Sequence, residues 1–181
     1  EPFTLTKHQQ SVFERFKKFV SDDSEQIFIL KGYAGTGKTT LIRFFINHLK
    51  TNKHLYTLAA STGRAAKIVT NATKTSASTV HSVIYNFSDF NQDLEEVIKK
   101  EESTGIDSTG QLFLNFTLNT PNDDESERYY IIDESSMISD IEDKSAYQAQ
   151  FGSGKLLTDL LTYNKKGKFI FVGDEAQLPP I

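Results

Sequence analysis

The sequence contains no cysteine, which excludes disulfides, thiolate metal centres and cysteine nucleophiles and fits a reducing compartment. Long apolar runs are also missing. Stretches such as Phe169–Val172 fall far short of the roughly 20 residues that a membrane-crossing helix needs, so no membrane partner is expected. No charged-then-apolar signal segment opens the chain. Residue 1 is Glu rather than Met, and the chain reads as an excised piece of a longer one. There is no basic excess: the net charge is −4, which argues against indiscriminate nucleic-acid binding. Internal repeats are absent.

What is present suits one domain. The chain has 181 residues, within the usual range for a single core, and such a domain buries roughly 70% of its unfolded surface. With 38% hydrophobic and 12% aromatic residues it is neither disordered nor fibrous. The charge is unevenly spread. Residues 88–128 hold 11 acidic and 3 basic side chains, whereas the remainder carries 13 and 17. That segment reads as a solvated insertion, and setting it apart leaves room for a local basic groove.

Helical and strand patterns alternate. Thr6-Lys7-His8-Gln9 has the spacing of a capping box, and Val12, Phe13, Phe16, Phe19 and Val20 recur behind it at helical spacing. Gln26–Leu30, Leu55–Ala60, Tyr129–Ile132 and Phe169–Val172 read as buried strands. Helices are expected where Leu41, Ile42, Phe45, Ile46 and Leu49 recur, over Gly63–Thr70, and around Leu156, Leu157, Leu160 and Leu161. Val80–Tyr85 suits either state. The alternation predicts an α/β fold, a parallel sheet with helices on both faces. Gln111–Leu118 reads as one arm of a small hairpin projecting from it.

Gly32-Tyr33-Ala34-Gly35-Thr36-Gly37-Lys38-Thr39 matches the phosphate-loop pattern and lies where the physics needs it, after a strand and at the start of a helix. Glycines let backbone N–H groups converge on phosphate oxygens without a Cβ in the way, and the helix N-terminus adds its positive dipole end. Gly32, Gly35, Thr36, Gly37, Lys38, Thr39 and Thr40 are therefore the expected nucleotide-holding residues. Lys38 would reach the β and γ phosphates, and the Thr39 hydroxyl would ligate Mg²⁺. Asp133 and Glu134 follow a buried strand, at the edge where ligands sit in such sheets. Asp133 is expected to hold Mg²⁺ and Glu134 to orient or deprotonate the attacking water. Unpaired, two carboxylates placed there would be costly to bury; a cation offsets that cost.

Three further stretches follow other strands. In Gly173-Asp174-Glu175-Ala176-Gln177-Leu178-Pro179-Pro180, Gln177 has the chemistry to sense a γ-phosphate; a proline-stopped turn explains the same residues. Ser61-Thr62-Gly63-Arg64-Ala65-Ala66-Lys67 offers hydroxyls, amides and cations to a nucleic-acid backbone, or is simply a capped helix with a solvated cationic side. Thr79-Val80-His81-Ser82 is weaker, and His81 alone reads as a packed structural histidine.

Taken in order, Leu5-Thr6 with Gln9, the phosphate loop, Ala60–Ala66, Thr79-Val80-His81, Asp133-Glu134-Ser135-Ser136-Met137 and Gly173–Pro180 resemble superfamily 1 helicases, and most of all the RecD-like and Dda-like 5′-to-3′ branch. The resemblance implies a RecA-like P-loop NTPase domain over residues 1–181 that uses ATP and Mg²⁺, with Lys38, Glu134 and Gln177 in the catalytic set. It implies that Gln9 reads the adenine edge, although the capping box competes for the same side chain. It places Ser61, Thr62, Arg64 and His81 along single-stranded DNA. It makes the insertion 88–128 a pin or wedge in which Phe113 or Phe116 stacks on a base or packs under the hairpin. Departures are Ser61, where the family usually has Pro, and the end at Ile181, which leaves out the second RecA-like domain with its arginine finger; the isolated piece is expected to turn over ATP poorly. A monomeric, cytoplasmic protein of bacterial or phage origin is expected. A GTPase is disfavoured because Asn164-Lys165-Lys166-Gly167 lacks the guanine-reading carboxylate, and a small-molecule kinase because the four arginines are not clustered. A non-catalytic nucleic-acid module remains the reading from another class, against which the magnesium and phosphate residues are all in place.

Overall fold

The computed structural model describes residues 4–87, 114–120, 127–141 and 149–174. In chain order the elements are α1 (Lys7–Ser21), β1 (Ile27–Lys31), α2 (Lys38–Thr51), β2 (Tyr56–Ala60), α3 (Gly63–Thr73), β3 (Ala77–Thr79), α4 (Val80–Ile84), β4 (Tyr85–Phe87), β5 (Leu114–Leu118), β6 (Tyr129–Asp133), a 3₁₀ turn (Ser135–Met137), β7 (Ala149–Phe151), α5 (Leu156–Tyr163) and β8 (Lys168–Gly173). They fall into two compact units, one built mainly from residues before Val80 together with Pro121–Met137 and the segment from Lys165, the other from His81–Thr120 and Ile138–Asn164.

The first unit is built on a five-stranded parallel sheet in the order β1-β8-β6-β2-β3. Its register aligns the carboxyl ends: Lys31 lies opposite Gly173, and Ala60 opposite Asp133. Backbone bonds extend this alignment past the strands, from Gly32 N–H to the Gly173 carbonyl (3.2 Å) and from Ser61 N–H to the Asp133 carbonyl (3.4 Å). Every strand-end motif of the sequence, except the residues after Asp174, therefore reaches one edge.

One sheet face, through Leu30, Leu58, Tyr129, Ile131, Ile170 and Val172, packs against the apolar stripes of α1, α2 and α3. Those stripes are the ones that helical spacing picks out, with Phe16 and Phe19 on α1 and Ile42, Phe45 and Leu49 on α2 all but solvent-free. Phe16 stacks on Phe45 with ring centroids 3.9 Å apart, and Phe28 meets both edge-on. The opposite face buries Tyr130, Ile132, Phe169 and Phe171. The carboxyl end of α1 is capped by a side chain from another strand: Lys168 Nζ donates to the carbonyls of Phe19 (2.9 Å) and Asp22 (2.6 Å), a cation where the helix dipole favours one.

In the second unit, β5 pairs antiparallel with β4 and parallel with β7. The Tyr85 hydroxyl donates to Asp159 Oδ2 (2.6 Å), and the same oxygen accepts from the Ser153 N–H (2.9 Å). Burial, reinforced by that carboxylate, pushes the Tyr85 hydroxyl well above the usual tyrosine range. Val80–Tyr85, which suited either state, divides into the short helix α4 and the first residue of β4. The hairpin expected at Gln111–Leu118 corresponds to β5 paired with β4, but the unit is wider than the insertion 88–128 because β7 and α5 belong to it. A three-residue strand such as β7 carries no periodic signal, and only its backbone pairing reveals it. Phe116 stacks on Phe151 at 4.4 Å, the packed alternative of the two read for it. Phe113 and most of residues 88–128 lie outside the described residues.

Candidate active site

The phosphate loop connects β1 to α2. Gly35 (φ +78°) and Gly37 (φ +85°) take left-handed backbone conformations that side chains disfavour, and Gly37 is the N-cap of α2. Thr36 Oγ1 donates to the Tyr33 carbonyl (2.8 Å) and closes the turn. Lys38 Nζ folds back on the carbonyls of Gly32 and Tyr33, the latter at 2.8 Å. Both bonds lie within the phosphate loop and supply acceptors to the ammonium group.

Gln9 is engaged at both ends of its amide. Its Oε1 accepts from the Thr6 N–H (3.0 Å), while the Gln9 N–H donates to Thr6 Oγ1 (3.2 Å), which completes the capping box. Its Nε2 donates to the Thr36 carbonyl (3.4 Å), so the start of α1 is tied to the phosphate loop. A Cβ at Gly37 would collide with that same Nε2. Gly37→Ala is accordingly expected to weaken nucleotide binding about tenfold or more, because the left-handed backbone alone costs a side chain about 1–2 kcal/mol. Titration with a fluorescent nucleotide measures the loss.

Asp133 ends β6. Burial raises its carboxyl above the ordinary range and the Glu134 charge adds to the rise, against the Glu134 N–H bond to Asp133 Oδ1 (3.0 Å) and the Lys38 charge. Glu134 itself has φ +50°, a left-handed conformation that costs a non-glycine residue about 1–3 kcal/mol and concentrates at functional sites. A cleft of about 470 Å³ is lined jointly by Ala34, Gly35, Gly37, Lys38, Thr39, Ile68, Asp133, Glu134, Ser136, Gly173 and Asp174. Lys38, Thr39, Asp133 and Glu134 thus share one space, as the motif spacing predicts. Ile68 and Ser136 also line it and were not foreseen. Ser136 lies two residues beyond the acidic pair, and the signal for it was the Ser135-Ser136 dipeptide; Ile68 gives no sequence signal, since it sits mid-helix. Gln177 lies outside the described residues.

The residues expected along DNA divide between the units. Thr62 is the N-cap of α3 and accepts from the Ala65 N–H (3.2 Å); Arg64 is exposed on its first turn. Ser61 Oγ is buried without a hydrogen-bond partner, as is Ser135 Oγ after the acidic pair. His81 belongs to the second unit, half-buried with its ring edge against Phe151 (5.0 Å), and burial holds its imidazole below the usual histidine range.

Among the described residues no group of three His, Asp or Glu side chains could hold a metal ion unaided, and no helix is long and apolar enough to cross a membrane. A glycine loop that opens a helix, sharing one cleft with an acidic pair from the strand two places along the sheet, defines a P-loop domain that binds nucleoside triphosphates. The sequence match agrees: residues 17–181 correspond to the AAA domain family, and the chain belongs to that family. Over 81 residues it is also 38% identical to the ATP-dependent DNA helicase dda of Enterobacteria phage T4, an alignment that covers 44% of this chain and 18% of that relative.

Proposed function

We propose that this chain is the N-terminal RecA-like motor domain of a superfamily 1 DNA helicase, which hydrolyses ATP with Mg²⁺ to translocate on single-stranded DNA. The observation that carries the reading is the joint lining of one cleft by Lys38, Thr39, Asp133 and Glu134; the similarity to a phage DNA helicase supports the choice of polymer. The residues fit a magnesium-bound triphosphate: two left-handed glycines and the amino end of α2 border the cleft, where backbone N–H groups bind anions, and the half-buried Asp133 carboxyl lines the same space. Magnesium commonly takes only one or two protein carboxylates and the substrate phosphates, so Asp133 with the Thr39 hydroxyl would be enough on the protein side.

In this mechanism Lys38 leaves the Gly32 and Tyr33 carbonyls for the β and γ phosphates. Thr39 and Asp133 would hold a magnesium ion, which would supply neutralisation of charge on the phosphate oxygens. Glu134 orients a water and accepts its proton as the water oxygen bonds to the γ phosphorus and the bond to the ADP oxygen breaks. Gln9 exchanges one of its present partners for the adenine edge, and Gln177 senses the γ-phosphate. In the first unit Thr62 and Arg64 contact the DNA, the Ser61 hydroxyl being buried; in the second unit, which acts as the pin, His81 contacts it. A second RecA-like domain of the same polypeptide supplies an arginine finger, worth about 10³-fold or more in related phosphoryl transfer, and the motor works as a monomer with 5′-to-3′ polarity.

The test is ATP turnover by the full-length polypeptide with and without single-stranded DNA. Stimulation by single strands, abolished by EDTA and restored by Mg²⁺, is expected. Equal turnover with and without DNA, or a preference for GTP, would overturn the reading.

A further inference from the structure

The cleft has one wall residue that phosphate chemistry does not explain. Ile68 cannot hydrogen-bond a phosphate or ligate a cation, yet it lines the cleft together with Glu134 and Ser136 and leaves 56% of its surface exposed. An apolar side chain kept at the mouth of a charged cleft acts by shape: it limits the approach of water and transmits the position of whatever carries it. What carries it is α3, and α3 is tightly tied to the cleft's other wall. Ala65, Ala66 and Val69 are buried against the sheet, and the small alanines let the helix sit close to Ala60 at the end of β2. From there Ser61 N–H bonds the Asp133 carbonyl. Arg64, exposed on the first turn of α3, precedes Ile68 by four residues, so the two share a face, about one helical turn apart.

We propose that Ile68 is the positioning residue that couples DNA held at Arg64, on the same face of α3, to the catalytic geometry of the cleft. A polymer phosphate drawn to Arg64 shifts α3 as a body, and a shift of about 1–2 Å, common for packed helices, changes how far Ile68 covers the cleft beside Glu134. Coupling of this kind is reciprocal, so nucleotide in the cleft must alter DNA affinity by the same factor that DNA alters nucleotide affinity. The inference rests on the helicase reading above.

The experiment uses the full-length polypeptide as wild type, Ile68→Ala and Ile68→Val. Two quantities are read: the ratio of turnover with single-stranded oligonucleotide to turnover without it, and the factor by which a non-hydrolysable ATP analogue changes oligonucleotide affinity. Because Ile68 is exposed, truncation leaves the core untouched, and a thermal melt confirms the fold. Ile68→Ala is expected to lower both quantities about tenfold, whatever happens to basal turnover, while Ile68→Val stays within about threefold of wild type. If both rates fall in proportion so that the ratio survives, or if neither quantity moves in Ile68→Ala, the inference is overturned although the helicase reading stands. A wild-type polypeptide that shows no stimulation overturns the helicase reading itself, and the coupling role with it.

Discussion

Glu134→Gln will keep nucleotide binding while lowering turnover about 10³-fold, the scale on which a positioned general base acts, whereas Lys38→Ala will lose both. The two substitutions separate because the residues meet the cleft in different ways. Lys38 belongs to the phosphate loop and ties the Gly32 and Tyr33 carbonyls together; without it the loop loses both its charge and a cross-brace. Glu134 contributes a charge that works against its neighbour, since it helps to push the Asp133 carboxyl up. Neutralising it removes that repulsion, so Asp133 ionises more readily and the affinity for a magnesium-bound nucleotide should hold or rise. The backbone bond from residue 134 to Asp133 Oδ1 survives in the glutamine variant. Equilibrium titration with a fluorescent nucleotide and a phosphate-release assay on the full-length polypeptide check the pair. Unchanged turnover in Glu134→Gln would remove the base from the mechanism.

Much of this site is legible in the sequence, for physical reasons that differ by element. The phosphate loop announces itself because it needs glycine at fixed positions: Gly35 and Gly37 are left-handed, and few other residues adopt that backbone cheaply. Asp133 and Glu134 are legible because two carboxylates directly after four apolar strand residues fall at the sheet edge where ligands sit. The capping box at Thr6 and Gln9 was legible from spacing alone, but its second task was not. The bond from Gln9 to the Thr36 carbonyl joins residues 27 positions apart, and no local pattern encodes such a meeting. Ile68 escapes for a similar reason. Mid-helix isoleucines normally face a core, and only the placement of α3 over the strand ends shows that this one faces the cleft. The second unit is the least legible part, because β4 and β7 have three residues each and come from chain segments some 60 residues apart. Ser61 marks another limit. Its hydroxyl looks like a polymer contact in sequence, but the fold buries it.

Phe16→Ala is expected to destabilise the first unit by about 3–5 kcal/mol, the usual cost of deleting a buried phenylalanine. Phe16 is fully buried and sits at the centre of a ring cluster: Phe13, Phe19, Phe28 and Phe45 all lie within 6.4 Å of its centroid. Rings on α1, α2 and β1 leave no single neighbour free to collapse into the space, so the cavity should persist. Tyr33→Ala is the contrast. That side chain is 61% exposed and its carbonyl, not its ring, receives Lys38, so stability should change by no more than about 0.5 kcal/mol. Chemical denaturation followed by circular dichroism measures both variants. The Phe16 cavity should also be felt at the cleft, because the stack on Phe45 seats α1, which brings Gln9, against α2, which begins at Lys38. Nucleotide affinity in Phe16→Ala should therefore fall at temperatures well below its melting point, while in a variant emptied at Tyr163 of the second unit it should not. Equal affinity losses in the two would mean that the aromatic cluster contributes stability alone and does not set the position of the phosphate loop.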